Sequence, residues 1–420
     1  MTKENGKPQI RFAKFKDTWE QRKLGEMMEV TSVKRIHQSD WTDSGVRFLR
    51  ARDIVAESKK ENVSEPLFIS QEKYDEYSAV SGKVKKGDLL VTGVGTIGVP
   101  MLINSEEPLY FKDGNIIWFK NENVIDGRFF YYSFNGLNIQ KFIKESAGLG
   151  TVGTYTIENG KKTPINLPPK KDEQAKIGEY FFNLDHLITL HQRKYDKLTK
   201  AKKSMLEKMF PKNGTNVPEI RFKGFTDAWE QRKLGDFGKT TGGTSIESEF
   251  SEEGQYKVIS IGSYSENSVY NDQGLRAIKS DKTNNRVLNR NDLTMILNDK
   301  TTSANIIGRV LLIEESGIYV YNQRTERIEI NVNEYDPVFL YEMLNAPNIR
   351  EKIIKQAQGN TQIYVNWPTI SLLDYMIPSK EEQVKIGECL HNLSNLITLH
   401  QRKLEKLKIL KKACLEKMFV

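Results

Sequence analysis

The chain contains one sequence framework written twice. Residues 8–26 read PQIRFAKFKDTWEQRKLGE and residues 218–236 read PEIRFKGFTDAWEQRKLGD, which agree at 13 of 19 positions. Residues 170–210 and 379–419 agree at 26 of 41 positions. Self-similarity of this extent, at an offset of 209 to 210 residues, identifies two copies of one structural unit. The fold must therefore be one that the chain can build twice.

The middle of each copy diverges while staying in register. Phe129–Tyr131 corresponds to Phe339–Tyr341, and Asp88 corresponds to Asp292. About six additional residues follow Asp292 before the copies come back into register. One framework with two different interiors predicts two related domains with two different targets.

Each copy ends in a predicted long helix. Apolar residues recur on one stripe from Asp172 to Met209, and Ser379–Glu382 has the pattern of a capping box before the second helix. About 38 residues in such a helix span roughly 57 Å. The two helices could pair antiparallel with each other, pair with helices of another subunit, or do both. Every seventh residue defines a predicted seam, formed by Ile177, Leu184, His191, Leu198, Met205, Ile386, Leu393, His400, Leu407 and Cys414.

The segment before each helix has short apolar runs separated by polar, glycine-containing loops. Val46–Asp53, Asp88–Val91 and Leu293–Leu297 are typical of strands. We therefore predict an α+β chain with two homologous α/β domains, each followed by a long helix. Antiparallel packing of the two helices on each other would give the chain pseudo-two-fold symmetry. The predicted boundaries are 1–169 and 211–378 for the domains, and 170–210 and 379–420 for the helices.

Composition narrows the class of protein. Lys and Arg number 63 against 55 Asp and Glu, so the chain has a net charge of +8, a modest bias that fits a polyanionic partner. Two cysteines cannot form a disulfide framework, and no signal peptide or membrane-spanning run is visible. These features predict a cytoplasmic protein without a membrane partner.

The sequence contains no complete motif for methyl transfer, nucleotide binding or nuclease activity. Asp336–Phe339 lacks the second proline of an adenine methyltransferase motif. Gly93, Gly95 and Gly98 spell a dinucleotide fingerprint, but Pro100 disfavours the helix that should follow it. No carboxylate cluster, zinc-ligand spacing or phosphate-binding lysine motif stands out. We predict no catalytic residue, no metal and no cofactor.

What remains is the chemistry of binding. Arg, Lys, Asn, Gln, Ser and Thr read base edges and phosphates. Arg50 and Arg52, two residues apart, are predicted to share one face of a strand. The residues predicted to contact DNA are Arg50, Arg52, Thr92, Thr96, Lys112, Thr151, Thr154, Tyr155, Ser260, Ser263, Tyr264, Lys300, Thr301, Thr302, Ser303, Gln323, Arg324, Gln358, Asn360, Thr361 and Gln362.

The repeated motifs carry a family resemblance. The WEQRKLG strings that begin at 19 and 229, and the EQxKIGE strings that begin at 173 and 382, resemble those of type I restriction-modification specificity subunits. The resemblance covers nearly the whole chain. It implies that each domain reads one half of a split sequence in double-stranded DNA, with the two helices packed as an antiparallel coiled-coil spacer. Because residues 50–52 and 260–262 differ between the copies, the target is predicted to be asymmetric. It also implies two methyltransferase subunits and two motor-nuclease restriction subunits as partners.

Two other functions remain as alternatives. One is a helical adaptor protein without DNA specificity, which the paired but diverged domains disfavour. The other is a free-standing restriction-modification enzyme, which the missing catalytic motifs disfavour.

Overall fold

The computed structural model describes residues 7–147, 153–212 and 214–419. The chain divides into two compact units of contacting residues. Unit 1 comprises Met1–Gln192 together with Arg402–Val420, and unit 2 comprises Arg193–Gln401. Thr151, one of the predicted DNA contacts, lies outside the described residues. In the described part of the chain, no helix combines the length and apolar character needed to cross a membrane.

The described residues of the first copy form ten strands and seven α-helices. The strands are β1 (Glu20–Lys23), β2 (Glu29–Thr31), β3 (Trp41–Thr42), β4 (Val46–Leu49), β5 (Leu67–Ile69), β6 (Leu89–Thr92), β7 (Pro100–Leu102), β8 (Leu109–Phe111), β9 (Ile116–Lys120) and β10 (Pro164–Leu167). The helices are α1 (Leu24–Met27), α2 (Ala51–Ser58), α3 (Gln71–Ser81), α4 (Gly127–Phe134), α5 (Leu137–Ser146), α6 (Ile157–Lys162) and α7 (Lys171–Lys208).

Unit 1 is built on two four-stranded sheets. The antiparallel sheet has the strand order β2-β9-β6-β7, and the second sheet has the order β3-β5-β4-β8, with β4 and β8 parallel. A two-stranded ladder joins β1 to β10. Because β6 and β9 are buried along nearly their whole length, they read as continuous apolar runs. Apolar clusters lie between the sheets and between the first sheet and helices α4, α5 and α7.

In the part of the second copy that the structure describes there are eleven strands and five α-helices. The strands are β11 (Glu230–Lys233), β12 (Gly238–Gly242), β13 (Tyr256–Ile259), β14 (Arg276–Ala277), β15 (Leu293–Ile296), β16 (Asn298–Asp299), β17 (Val310–Leu312), β18 (Tyr319–Tyr321), β19 (Thr325–Ile330), β20 (Ile363–Tyr364) and β21 (Asp374–Ile377). The helices are α8 (Asp281–Asn284), α9 (Pro337–Asn345), α10 (Pro347–Ile354), α11 (Trp367–Ile370) and α12 (Lys380–Met418).

Unit 2 repeats the central architecture of unit 1. Its four-stranded antiparallel sheet has the order β12-β19-β15-β17, and its second sheet, β14-β13-β18, again contains one parallel pair. The ladder β11-β21 matches β1-β10. Strand β16, which pairs with β20, lies in the segment where the second copy has additional residues. The copies therefore share a framework of strands, and the extra residues form a loop on it.

The two long helices have nearly the predicted bounds. Helix α7 spans 38 residues and α12 spans 39, and both cross the division between the units. All ten predicted seam residues are buried or partly buried, with Ile177, Ile386 and Cys414 among the buried ones. In unit 1, Tyr180 contacts Cys414, and the amine of Lys411 lies 2.7 Å from the carboxylate of Asp185. Within this unit the two helix segments therefore run antiparallel.

One strand prediction was wrong. The run Val46–Asp53 is not a single strand, because β4 ends at Leu49 and α2 begins at Ala51. The carboxylate of Asp53 accepts a hydrogen bond from the backbone N–H of Arg50, which stops the strand and starts the helix. Arg50 and Arg52 consequently do not share one face of a strand.

Candidate nucleic-acid interface

The repeated start motif forms a clasp on the long helices in unit 1. The backbone N–H of Ile10 donates to the carbonyl of Lys417 near the end of α12. The next residue, Arg11, makes a bidentate pair with Glu173 at the start of α7, at 2.6 and 2.8 Å. Glu173 is buried and also accepts a 3.4 Å hydrogen bond from the indole of Trp19. The motif thus joins the start of one helix to the end of the other.

Unit 2 has the same clasp with the two helices exchanged. Ile220 donates to the carbonyl of Lys208 near the end of α7, and Arg221 pairs with Glu382 at the start of α12, with both contacts at 2.8 Å. Hydrogen bonding to Glu382 raises the pKa of Arg221. The indole nitrogen of Trp229 has no hydrogen-bond partner among the described residues. This clasp therefore depends on its arginine more than the clasp of unit 1 does.

The glycine in each KIG string allows a close approach. A Cβ at Gly178 would lie 2.7 Å from the backbone nitrogen of Phe129, and a Cβ at Gly387 would lie 2.8 Å from that of Phe339. The long helices can therefore pack tightly on α4 and α9 only where no side chain intervenes. The repeated residues of the framework thus hold helix to domain and leave the surface loops free to vary.

Three loops meet at one end of the central sheet of unit 1. The backbone N–H of Gly93, after β6, donates to the carbonyl of Asn115, before β9. The carbonyl of Gly93 in turn accepts from the N–H of Tyr155, before α6. Thr96, Lys112 and Thr154, which we predicted to bind DNA, lie on these loops. Segments far apart in sequence thereby form one surface, here called the loop face of unit 1.

The loop face of unit 2 is assembled by the same pair of hydrogen bonds. The N–H of Leu297, after β15, donates to the carbonyl of Arg324, and the N–H of Val365 donates to the carbonyl of Leu297. Strand β16 then pairs with β20, which brings two of the predicted loops side by side. The predicted residues on this face are Lys300, Thr301, Thr302, Ser303, Gln323, Arg324, Gln358, Asn360, Thr361 and Gln362, and all ten are exposed.

Four of the residues predicted to contact DNA are buried, so we remove them from the candidates. The hydroxyl of Thr92 donates to the carbonyl of Thr96 and accepts from the N–H of Val99, so it closes its own loop. The phenol of Tyr155 bonds to the hydroxyl of Thr163 inside the core. The other two, Ser263 and Tyr264, are 0% and 4% exposed. Residue type alone suggested surface groups, but the hydroxyls of Thr92 and Ser263 bond to nearby backbone atoms, and the phenols of Tyr155 and Tyr264 lie in the core.

Arg50 and Ser260 occupy matching positions at the start of a helical turn. The guanidinium of Arg50 pairs with Asp53 and donates to the carbonyl of Glu65 at 2.8 Å, so its donors are engaged within the protein. The side chain of Arg52 is 55% exposed. Ser260 is partly buried, and its N–H donates to the hydroxyl of Ser263. These residues lie on a different turn from the three converging loops of each unit.

Sequence reasoning missed the residues that join the loops. Asn115 and Val365 were not among the candidates, although their backbone groups hold the loop faces together. Their side chains carry no signal, because any residue type supplies the backbone atoms. The clasp could have been found, since Arg11 and Glu173 are repeated as Arg221 and Glu382 in otherwise conserved strings.

The described residues contain no group of three or more His, Cys, Asp or Glu side chains that could hold a metal ion. The segment with dinucleotide-like glycines runs from β6 directly into β7 at Pro100, and no helix begins there. A pyrophosphate would therefore not meet a helix N-terminus at this loop.

Known proteins share this framework. The family model described as "Type I restriction modification DNA specificity domain" matches residues 16–200 and 226–409. The chain is 26% identical over 304 residues to the type I restriction enzyme MjaVIII specificity subunit of Methanocaldococcus jannaschii, covering 70% of this chain and 69% of that protein. It is 32% identical over 171 residues to a putative type I restriction enzyme specificity subunit, S.HindORF215P, of Haemophilus influenzae, covering 40% and 41% of the two chains.

One solved structure supports the fold over its whole length. The S subunit of a type I restriction-modification system from M. genitalium superimposes with a TM-score of 0.57 at 15% identity, covering 98% of this chain and 99% of that one. Specificity subunits of this family are non-catalytic. The two matched segments are the two copies found by the internal repeat. The chain therefore belongs to the type I restriction-modification DNA specificity family and contains its domain twice.

Proposed function

We propose that this chain is the DNA-recognition subunit of a type I restriction-modification complex. Each unit reads one half of a bipartite, asymmetric target in double-stranded DNA through its loop face. The long helices hold the two readers at a fixed spacing. Two methyltransferase subunits and two restriction subunits supply catalysis, and the chain works in the cytoplasm, where the DNA is.

One observation carries the proposal. Matching pairs of backbone hydrogen bonds build the two loop faces, yet the side chains that they present differ between units. Loops on a rigid sheet suit a binding surface, and amides, hydroxyls and cations are the groups that contact bases and phosphates. Equal construction with unequal side chains favours two readers of unequal half-sites.

The helices offer an equivalent docking surface in each unit. The string LITLHQRK occurs at 187–194 and again at 396–403. Leu187 and Leu190 are 40% and 39% exposed, and Leu396 and Leu399 are 44% and 45% exposed. An apolar pair repeated on both units fits a partner that binds twice. We propose that the two methyltransferase subunits dock there.

Modified-base sequencing tests the whole proposal. DNA would be taken from cells that express the chain with its methyltransferase subunit, and from cells in which the chain alone is deleted. We expect a split, asymmetric motif that is methylated only when the chain is present. An unsplit motif, or methylation that does not depend on the chain, would refute it.

A helical adaptor without DNA specificity is the second candidate, favoured only by the exposed leucines. A footprint of the complex on DNA separates the two functions. Two protected patches that weaken as salt rises support a DNA reader, because phosphate contacts release counterions. A complex that assembles normally and protects no DNA would support the adaptor.

A further inference from the structure

We propose that Arg324 is the base-reading residue of unit 2 and that it recognises a guanine in the half-site read by this unit. The inference rests on the proposed function and assigns one side chain to one base. Arg324 lies in the turn between β18 and β19, at the centre of the loop face of unit 2.

The backbone around Arg324 is fixed from both sides. The N–H of Asn322 donates to the carbonyl of Ile259, and the carbonyl of Thr325 accepts from the N–H of Gly243. The carbonyl of Arg324 itself accepts from the N–H of Leu297. Its stem therefore cannot move without breaking several hydrogen bonds, so its side chain starts from a defined position.

Arg324 adopts a backbone conformation that favours glycine. Its φ is 67°, in the left-handed region that is unfavourable for residues with a Cβ. In the matching turn of unit 1 it is a glycine, Gly114, that takes this conformation, at a φ of 69°, and the residue aligned with Arg324 is Asn115. An arginine held in this conformation despite its steric cost points to a requirement for its side chain.

The guanidinium of Arg324 is free for a ligand. Among the described residues it has no hydrogen bond, ion pair or ring contact, and the residue is exposed. Two other arginines of unit 2 differ, since Arg327 pairs with Asp292 and Arg276 pairs with Asp272. Arg324 therefore presents its full set of donors outward from a fixed turn.

Guanine fits this presentation better than phosphate does. A guanidinium can donate two parallel hydrogen bonds to O6 and N7 of guanine, which is the commonest specific contact in the major groove. Phosphates need only positive charge, which flexible lysines such as the exposed Lys300 supply. A fixed arginine in a strained turn supplies geometry as well as charge. In unit 1 the residue aligned with Arg324 is Asn115, so that half-site is not read by an arginine at this position.

The test compares three variants in the assembled methyltransferase complex. Arg324→Gln removes the charge and the fork, and Arg324→Gly also relieves the backbone. Arg290→Gln is the matched control, because Arg290 is exposed, its side chain has no partner among the described residues, and it precedes the other end of β15. Binding is measured on duplexes in which each guanine of the two half-sites is replaced in turn.

For the wild-type complex, replacing the contacted guanine should weaken binding roughly 5- to 150-fold. For both Arg324 variants the same replacement should have no further effect, and the sequenced motif should become degenerate at that position. Arg290→Gln should keep the full motif. The thermal midpoint of Arg324→Gly should not fall, which separates a reading role from a structural one.

Three outcomes would overturn the inference. A uniform loss on all duplexes with a shallower salt dependence would make Arg324 a phosphate contact. Degeneracy in the half-site read by unit 1 would show that Arg324 does not contact the half-site assigned to unit 2. An unchanged motif in Arg324→Gln would remove it from recognition. Failure of the proposed function is a different result, because the wild-type complex would then show no specific motif at all.

Discussion

Three positions that meet inside both units carry different chemistry. In unit 1 they hold Ile54, Leu90 and Ile116, which are 0%, 0% and 1% exposed and belong to one apolar cluster. This is ordinary core packing, in which dispersion and the hydrophobic effect act without directional bonds.

In unit 2 the same positions hold Tyr264, Thr294 and Thr325, which are 4%, 0% and 0% exposed. None of the three hydroxyl oxygens has a hydrogen-bond partner among the described residues. Burial raises the pKa of Tyr264, and the nearby threonine hydroxyls oppose that rise. The comparison shows that the strand framework tolerates a complete change of interior, because its ladders are made by backbone atoms.

A second group of three matched positions contains one carboxylate in each unit, but the carboxylate lies on a different helix in each. In unit 1, Asp185 on α7 accepts from the phenol of Tyr132 and from the amine of Lys411, both at 2.7 Å. In unit 2 the carboxylate is Glu342 on α9, which pairs with Lys202 at 2.7 Å, and a serine occupies the helix position. Each unit therefore has one carboxylate paired with one lysine, and we call these two groups the carboxylate triads. The side chain of Glu342 is 2% exposed, whereas that of Asp185 is 27% exposed.

The largest difference between the units should come from their clasps. Arg221→Met leaves Glu382, which is 0% exposed, without its cation, and we expect unit 2 to lose roughly 3–5 kcal/mol of stability. Arg11→Met should cost unit 1 less, because Trp19 still donates to Glu173. Native-state hydrogen exchange of the full chain measures each unit separately. Equal losses in the two units would contradict this account.

A pH dependence should distinguish unit 2 next. Glu326 is 4% exposed and replaces Ile117 of unit 1, and burial raises its pKa to about 7 against the effect of Arg286. Since the folded-state pKa lies above the ordinary value of 4.5, the folded state binds the proton more tightly. Its contribution, about 3 kcal/mol, is present below pH ~4.5 and is lost as the pH rises through about 7.

Glu326→Gln should therefore flatten the pH dependence of unfolding in unit 2 between those values. Glu329→Gln is the control, because Glu329 lies on the same strand and is exposed. Unfolding by urea at several pH values, followed by hydrogen exchange in each unit, gives the answer. A wild-type unit 2 whose stability is constant over this range would exclude the predicted titration.

The carboxylate triads predict a smaller contrast. Glu342→Gln removes a buried partner of Lys202 and should destabilise unit 2 by about 2 kcal/mol, since hydrogen bonds to charged groups are worth roughly that much. Asp185→Asn should cost unit 1 about 0.5–1 kcal/mol, because both charged partners reach solvent. Measured losses in the reverse order would show that burial does not govern these pairs.

The smallest effect on stability is expected among the three buried hydroxyl residues of unit 2, Tyr264, Thr294 and Thr325. Thr294→Val keeps the shape of the side chain and removes an unpaired hydroxyl, so stability should change by less than about 1 kcal/mol. The reverse change in unit 1, Leu90→Thr, puts a hydroxyl into an apolar cluster and should cost about 2 kcal/mol. Thermal unfolding of the two variants tests the contrast, and a large loss for Thr294→Val would reveal a partner for this hydroxyl.

The sequence predicted the repeat, the sheets, the two helices and the family, because those features depend on patterns that recur along the chain. It misread the run at Val46–Asp53, since a single side-chain bond from Asp53 converts strand into helix there. It also counted Tyr155 as a surface residue, because its partner Thr163 lies beyond a helix in the chain. Errors of this kind arise wherever a local pattern is settled by one contact.

The sequence by itself determined that this protein has two copies of one domain, that each copy ends in a long helix, and that the framework is kept while the interior varies. Hydrophobic periodicity and repetition are patterns of residue types along the chain, so they can be recognised without knowing any three-dimensional contact. Only the tertiary structure decided which polar residues reach the surface and which loops share a face. Which loops meet depends on backbone hydrogen bonds, such as the one that the N–H of Leu297 donates to the carbonyl of Arg324. Because every residue type has a backbone carbonyl and all but proline have an N–H, the sequence does not indicate which of them will pair.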